Sequence, residues 1–316
     1  TLLTINDDGV ITAFSGKVEY GQGIRNGFAM AIADELDVAV ESVRMILGDT
    51  DLVPQDRGTT GSASTRTVGI QLRRAAATAR LTLIDLAATR LEVATSSLKT
   101  LAGRVISEDG SHCIEYADLL SSQMLSVNIP DFVEVKAVDE FQLMGRPARR
   151  IDAISRVTGG ARYAQDVVVP GMLYGKILRP PSYGAKLVQI DTARAEQVGG
   201  VVLVVKDGDF VGVVAEREDA AEYAVEAIRA RWEESRDTVS DWNIPALLKE
   251  RAEKPTALRE DGDLESAFFS AARVFENTYY VPYVSNAQME PSASVARWDG
   301  DHLTVWCAHR GPFAER

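Results

Sequence analysis

The sequence predicts a multi-domain α+β chain, and three observations lead to that expectation. The first is its length, since 316 residues exceed the roughly 100–200 residues of a typical domain. The second is a hydrophobic content of 46%, which is ample for buried cores and excludes a disordered chain. The third is the succession of short apolar runs around a long alanine-rich helical pattern at 66–90. We therefore expect two or three globular units.

The first unit is predicted over residues 1–127. It should begin with a hairpin, because apolar runs flank the turn residues Asp7-Asp8-Gly9. A helix over 21–36 should bury one stripe, since its apolar positions recur every fourth residue. The apolar positions of that stripe are Ile24, Phe28, Ile32 and Leu36. The remaining predicted elements are a strand at 42–47, the long helix at 66–90, a hairpin joining 105–107 to 112–114, and a short helix at 116–121.

The rest of the chain divides into three further parts. Residues 128–150 show no clear period and are predicted to be a linker. Residues 151–235 form a second unit, and residues 236–316 form a linker and the incomplete start of a third. The expected elements of the second unit are strands at 201–205 and 210–215 and a helix at 218–232. Those of the third are a helix at 264–272, a strand at 274–283 and a hairpin around Asp299-Gly300-Asp301.

The charge and the scarce metal-binding residues argue against several classes of protein. Lys and Arg total 34 and Asp and Glu total 46, so the net charge is −12. Such an acidic chain has no general attraction for nucleic-acid backbones. No unbroken apolar run approaches the roughly 18 residues of a membrane span. Two distant cysteines and three histidines make a metal site improbable, so no metal ligand is predicted.

The first candidate binding motif is Glu19-Tyr20-Gly21-Gln22-Gly23, directly before a predicted helix. Glycines let a ligand approach the backbone closely, and the free amides of a helix start attract an anion. Gln22 adds a carboxamide that can both donate and accept hydrogen bonds. A plain strand-to-helix turn is the alternative, which a lone pair of glycines favours.

The second candidate motif is the run of eight small residues at 58–65, which also precedes a helix. Its hydroxyls and amides suit a phosphate or another bulky anion. The alternative is an ordinary helix cap, which Ser64 or Thr65 could supply alone. Two such loops in one unit together predict a large polar anion that is bound with little lysine or arginine.

The ordered motifs resemble those of the molybdopterin-binding large subunit of the xanthine dehydrogenase/aldehyde oxidase family. The resemblance rests on EYGQG before a helix, on GTTGSAST before an alanine-rich helix, on GRPARRIDAISRVTGG, and on NAQMEP followed by VWCAHRGPF. With the GQG segment first, this order of motifs resembles that of the isoquinoline 1-oxidoreductase beta-subunit group. The resemblance implies a molybdopterin-binding segment, then an a/b hammerhead domain, then the start of a further molybdenum-binding domain.

The resemblance also implies a function and its cofactors. It implies a molybdenum hydroxylase that oxidises small aldehydes or N-heterocycles with water as the oxygen source. The cofactor would be molybdopterin in its cytosine dinucleotide form, with molybdenum. Partners would be an iron–sulfur subunit, the remainder of the large subunit and, as often in this group, a cytochrome c. We expect the chain to be a portion of a longer polypeptide that is inactive alone, in the periplasm or cytoplasm of a bacterium.

Carried over by position, the resemblance assigns cofactor contacts to both loops. Gly21, Gln22 and Gly23 would touch the pterin and an oxygen ligand of the metal. The second loop would contribute amides and hydroxyls from Gly61, Ser62, Ala63 and Ser64. The family's catalytic glutamate falls beyond Arg316, so no catalytic residue is assigned.

Two positions depart from the family pattern. Arg310 stands where the family has glutamine, and Asn286 stands where it has histidine. Both changes favour an alternative, a non-catalytic homologue that serves as a scaffold or an assembly partner.

Overall fold

The computed structural model describes residues 1–121, 125–234, 239–285 and 287–315. The described strands are β1 Leu3–Ile5, β2 Ile11–Ser15, β3 Val43–Leu47, β4 Leu98–Leu101, β5 Arg104–Ser107, β6 Cys113–Glu115, β7 Tyr174–Ile177, β8 Lys186–Asp191, β9 Val201–Asp207, β10 Phe210–Ala215, β11 Arg229–Glu233, β12 Ser294–Asp299 and β13 His302–Cys307. The described α-helices are α1 Ile24–Leu36, α2 Ile70–Leu91, α3 Tyr116–Leu120, α4 Ala153–Val157, α5 Ala193–Glu196, α6 Glu218–Ala227, α7 Ile244–Glu250, α8 Leu264–Ser270 and α9 Pro312–Glu315.

The chain forms two compact units. The first comprises Thr1–Val167 with Met289–Arg316, and the second comprises Val168–Gln288. None of the described helices is long and apolar enough to cross a bilayer. The mixed helix and strand content confirms the predicted α+β class.

The core of the first unit lies between a three-stranded sheet and two helices. The sheet has the order β1-β2-β3, with β1 antiparallel and β3 parallel to β2. Helix α1 connects the two parallel strands and packs against α2. The predicted apolar stripe of α1 is confirmed, since Ile24, Phe28, Ile32 and Leu36 are all buried. The hairpin predicted around Asp7-Asp8-Gly9 is confirmed as β1 and β2.

A second small sheet of this unit has the order β4-β5-β6. Strands β5 and β6 confirm the predicted hairpin, whereas β4 was not anticipated. The long helix is present but begins with a wide turn, Thr65–Gly69, whose hydrogen bonds span five residues, and continues as α2.

The segment predicted as a linker contains only one helical turn, Val138–Glu140, yet it is fastened to α1. The buried carboxylate of Asp34 accepts hydrogen bonds from the amides of Gln142 and Met144, both at 2.9 Å. The Lys136 amide donates to the carboxylate of Glu35 at 3.2 Å. We call residues 136–152 the strap.

The second unit contains an antiparallel sheet of order β7-β10-β9 and a separate pair, β8-β11. Strands β9 and β10 confirm the two predicted strands. The helix predicted over 218–232 was too long, because α6 ends at Ala227 and β11 follows. Residues 229–233 alternate between exposed and half-buried side chains, a period of two that suits pairing with β8.

The strand predicted at 274–283 was wrong. These residues have no assigned strand or helix, and their side chains are exposed. The apolar content of this stretch is typical of a strand, but a strand needs a neighbour to which its backbone is hydrogen-bonded. No described residue forms such a pair with residues 274–283. The predicted helix at 264–272 ends early, as α8 stops at Ser270. The hairpin around Asp299-Gly300-Asp301 is confirmed as β12 and β13.

Candidate functional site

Three segments that are far apart in the sequence meet around Thr59, whose residue surface is only 2% exposed. Its amide donates to the carbonyl of Arg310 at 2.7 Å. Its Oγ1 accepts from the Val18 amide at 2.9 Å, and its carbonyl accepts from the Tyr20 hydroxyl at 3.2 Å. The two glycine loops, 19–23 and 58–65, are therefore neighbours, and the HRGPF segment lies beside them.

A buried ion pair fixes the beginning of the second loop. The Lys17 Nζ atom donates to Asp56 Oδ1 at 2.8 Å and to the Gly58 carbonyl at 2.7 Å. The same Oδ1 atom accepts from the Gly58 amide at 2.7 Å. The two charged side chains are only 7% and 13% exposed, so each depends on the other for compensation.

Gly58 allows the third segment to approach. Its φ of +104° belongs to a region that side chains rarely adopt. A Cβ atom here would lie 3.3 Å from the carbonyl oxygen of Arg310 and 3.4 Å from the Cα of Gly311. The close contact between the loop and residues 310–311 therefore requires glycine.

The first loop is organised by Glu19, the one carboxylate of its motif, to which the sequence analysis assigned no role. Glu19 Oε1 accepts from the amides of Gly21 and Gly23, both at 2.9 Å, and Oε2 accepts from the Arg25 amide at 3.0 Å. Two of the amides that were expected to receive an external anion thus bind Glu19. We call these three amides with their carboxylate the Glu19 cradle. A carboxylate before a helix-opening glycine turn was the signal that could have indicated it.

The environment of Glu19 favours its charged form. Burial would raise the pKa of this carboxyl, but the hydrogen bonds from the amides of Gly23, Arg25 and Gly21 and the charge of Arg150 outweigh that effect. The pKa of Glu19 is therefore held below its ordinary value. The cradle consequently contains a full negative charge at neutral pH.

The Gln22 carboxamide forms hydrogen bonds with the backbone of its own loop. Its Oε1 accepts from the Tyr20 amide and its Nε2 donates to the Val18 carbonyl, both at 2.8 Å. Gly21 and Gln22 are exposed, and a Cβ built on Gly21 would meet nothing within 4 Å. The first loop therefore presents an open tip, Gly21–Gln22, above an internally bonded base.

The tip of the second loop has unused hydrogen-bond donors. Gly61 and Ser62 are exposed and have consecutive left-handed φ values of +64° and +51°. Neither amide donates to any described residue, and a Cβ on Gly61 would meet nothing within 4 Å. The backbone of Ala63 is already engaged, as its carbonyl accepts from the amide and hydroxyl of Thr67.

The alternative interpretation of this loop, an ordinary helix cap, does not explain its hydroxyl groups. Ser64 stands at the cap position but makes no capping hydrogen bond with its side chain. The hydroxyls of Thr60, Ser62 and Thr65 also make no hydrogen bond to a described residue. Free amides and hydroxyls on exposed small residues are the donor set that a phosphate or pterin group requires. The second loop therefore fits the implied cofactor, whereas the cradle of the first loop is already filled.

The two positions that depart from the family pattern have different outcomes. The side chain of Arg310 is exposed, and its carbonyl is the group that contacts Thr59. Asn286 lies outside the described residues.

Comparison with protein families identifies three successive domains. A molybdopterin cofactor-binding domain matches residues 1–154. The a/b hammerhead domain of aldehyde oxidase and xanthine dehydrogenase matches residues 158–212. A second molybdopterin cofactor-binding domain matches residues 249–316. This confirms the predicted order, while the predicted domain boundaries stay a prediction.

The relatives are subunits of bacterial oxidoreductases. A nicotinate dehydrogenase subunit of Pseudomonas putida is 32% identical over 99% of this chain and 27% of its own length. The beta subunit of isoquinoline 1-oxidoreductase from Brevundimonas diminuta is 29% identical over 99% of this chain and 46% of its own length. A solved structure, quinoline 2-oxidoreductase from Pseudomonas putida 86, is 26% identical over 52% of this chain and 26% of its own, with a TM-score of 0.41.

The chain thus spans less than half the length of these two curated relatives. Within that span, the matches follow one another along nearly the whole sequence and include both loops of the site. The chain belongs to the xanthine dehydrogenase and aldehyde oxidase family of molybdopterin-binding oxidoreductase subunits.

Proposed function

We propose that this chain is a portion of the large subunit of a molybdenum hydroxylase that oxidises aldehydes or N-heterocycles. The names of its relatives support this reaction class, since they include nicotinate and isoquinoline oxidoreductases. The observation that carries the proposal is the meeting of the two glycine loops at Thr59, with the free donors of Gly61 and Ser62 at the tip of the second loop. Such a site can bind a large anion inside an acidic protein.

The proposed roles follow from what each loop leaves exposed. The amides of Gly61 and Ser62 and the hydroxyls of Ser62 and Ser64 bind the cofactor's phosphate and pterin oxygens, and Ala63 maintains the turn into α2. Gly21 and Gln22 would touch the pterin and an oxygen ligand of the metal through their open tip, and Gly23 supports that tip through the Glu19 cradle. The bound cofactor supplies the redox chemistry. The base stays unassigned within this chain.

The finer features of the proposal rest on the family resemblance. They are a cytosine dinucleotide form of the cofactor, water as the oxygen source, transfer of electrons to an iron–sulfur subunit, and completion of the site by the remainder of the large subunit. A cytochrome c acceptor rests on the resemblance alone.

The direct test uses the complete natural protein, purified with its partner subunits. We expect molybdenum bound to the protein, release of cytidine monophosphate on acid hydrolysis, and ¹⁸O from labelled water in the oxidised product of an aldehyde or N-heterocycle. Product without ¹⁸O would contradict a hydroxylase mechanism. A different released nucleotide would contradict only the cytosine form.

The alternative is a scaffold or assembly partner, favoured by Arg310 and Asn286 at the two departing positions. The same preparation separates the two functions. A complete complex without molybdenum or pterin would support the scaffold and overturn the hydroxylase.

A further inference from the structure

The strap contacts the first glycine loop through Arg150. The guanidinium donates from Nη1 to the Gly21 carbonyl at 2.9 Å and from Nη2 to Glu19 Oε1 at 3.4 Å. It also pairs with Asp152 through two contacts of 2.9 Å. The next amide, that of Ile151, donates to Asn26 Oδ1 at 3.0 Å. The strap therefore runs from the end of α1 to the loop that precedes it.

The Glu19 cradle explains why the strap needs an arginine here. The Glu19 side chain is only 6% exposed, and three amides hold its charge at the positive end of the α1 dipole. A planar guanidinium reaches a carbonyl and two carboxylates at once, which a lysine ammonium does not do with fixed geometry. Arg150 thus links the cradle, the loop carbonyl and the strap.

We infer that Glu19 and Arg150 are positioning residues that hold the first cofactor loop in a preset shape. Glu19 supplies an internal anion that closes the start of α1 to external anions. Arg150 fixes that anion and the Gly21 carbonyl, so the loop presents its Gly21–Gln22 tip instead of its helix amides. Only the statement that this tip faces the cofactor rests on the proposed function.

Helix α4, which follows the strap directly, provides a matched control. Arg156 also binds Asp152, at 2.8 Å, and its side chain is 34% exposed, against 36% for Arg150. Its described contacts include neither Glu19 nor Gly21. Arg150→Gln and Arg156→Gln each take one guanidinium group away from Asp152. Only Arg150→Gln also removes the contacts with Gly21 and Glu19, so only this substitution should release the first loop.

The first test is hydrogen exchange of the complete natural protein in its complex, read on peptides covering residues 15–28. We expect Arg150→Gln to accelerate exchange of the cradle amides by about tenfold or more and Arg156→Gln to leave it unchanged. Equal exchange in the two variants would overturn the role of Arg150.

The second test is chemical rescue. Glu19→Ala should expose the amides of Gly21, Gly23 and Arg25 to exchange, and added acetate should slow that exchange again, whereas chloride at equal ionic strength should not. Rescue of this kind would not follow from a general loss of packing. Unchanged exchange in Glu19→Ala, or equal effects of acetate and chloride, would overturn the internal-anion role.

Molybdenum measured in the same samples separates this inference from the proposed function. A wild-type complex that lacks molybdenum would refute the hydroxylase while the exchange results still decide the role of the cradle. A molybdenum-loaded complex in which Arg150→Gln and Arg156→Gln exchange alike would refute the positioning role alone.

Discussion

Thr59 joins the two glycine loops and the segment that contains Arg310. It is buried, and each of its three polar groups contacts a different segment or residue. Its hydroxyl oxygen is the acceptor for the Val18 amide, which has no other described partner. The neighbouring residue Thr60 is exposed, and its hydroxyl makes no hydrogen bond to a described residue.

We predict that Thr59→Val loosens the junction between the two loops. Valine retains the volume but leaves the Val18 amide without its acceptor, which costs about 1–3 kcal/mol. Hydrogen exchange of peptides covering 16–23 in the full-length protein should therefore rise about tenfold or more. Thr60→Val is the control and should leave exchange unchanged. Equal effects would show that Thr59 does not join the loops.

The sequence predicted some residues of the candidate site and missed others. Glycine and small hydroxyl residues before a helix indicate free donors, so Gly61 and Ser62 could be anticipated. The position of Glu19 before a helix was a signal of a cap, but a carboxylate beside a glycine turn is equally consistent with a solvated charge, so the sequence did not decide its role. Lys17 and Asp56 are 39 residues apart, and only the tertiary fold brings them together.

At the level of elements, α1 is buried on its polar side as well as on its apolar stripe. Glu35 is fully buried and accepts from Arg73 at 2.6 and 3.0 Å, with Arg80 at 3.6 Å. Together with the contacts of Asp34, this pairing ties α1 to α2 and to the strap. Because α1 begins directly after the first glycine loop, these contacts also fix the position of that loop in the site.

Glu35→Gln should destabilise the packing of α1 against α2. The substitution leaves two partly buried guanidinium groups without their counter-charge, which typically costs about 3–5 kcal/mol. Urea unfolding of the full-length protein, followed by hydrogen exchange of α1 and α2 peptides, measures the effect. Glu41→Gln, at an exposed position before β3, should change it by no more than about 0.5 kcal/mol. Equal midpoints would contradict a stabilising role for the buried cluster.

Elements with a strong local period were predicted well, and those defined by distant partners were not. The stripe of α1 and the turn glycines of the hairpins act within a few residues of the chain. Strand β11 was instead taken as the end of a helix, because its partner β8 is distant in sequence. The stretch at 274–283 shows the reverse error, as a strand-like composition did not produce a pair. The contacts of the strap with Asp34 and Glu35 had no signal in the sequence, because these partners lie on another element, and the linker at 128–150 stays a prediction.

At the scale of the whole molecule, the net negative charge means that an anionic cofactor must be bound by local hydrogen-bond donors in the loops. The net charge of −12 repels an anionic cofactor at long range. Binding must therefore rely on donors aimed at the ligand from short distance. The second loop offers such donors, and the first loop satisfies its own with Glu19. One loop is thus open to a ligand, and the other is filled from within.

The decisive measurement is the molybdenum occupancy of the natural complex, with Gly61→Asn compared with Gly9→Asn. Both glycines have left-handed φ values, +64° and +79°, and open space at Cβ, and asparagine tolerates such backbones. Only Gly61 faces the proposed cofactor site, because Gly9 lies in the turn between β1 and β2. We predict that Gly61→Asn lowers the molybdenum bound per protein by about tenfold or more, equivalent to about 1.4 kcal/mol of binding, while Gly9→Asn matches the wild type. Wild-type occupancy in Gly61→Asn would show that the open tip of the second loop does not hold the cofactor.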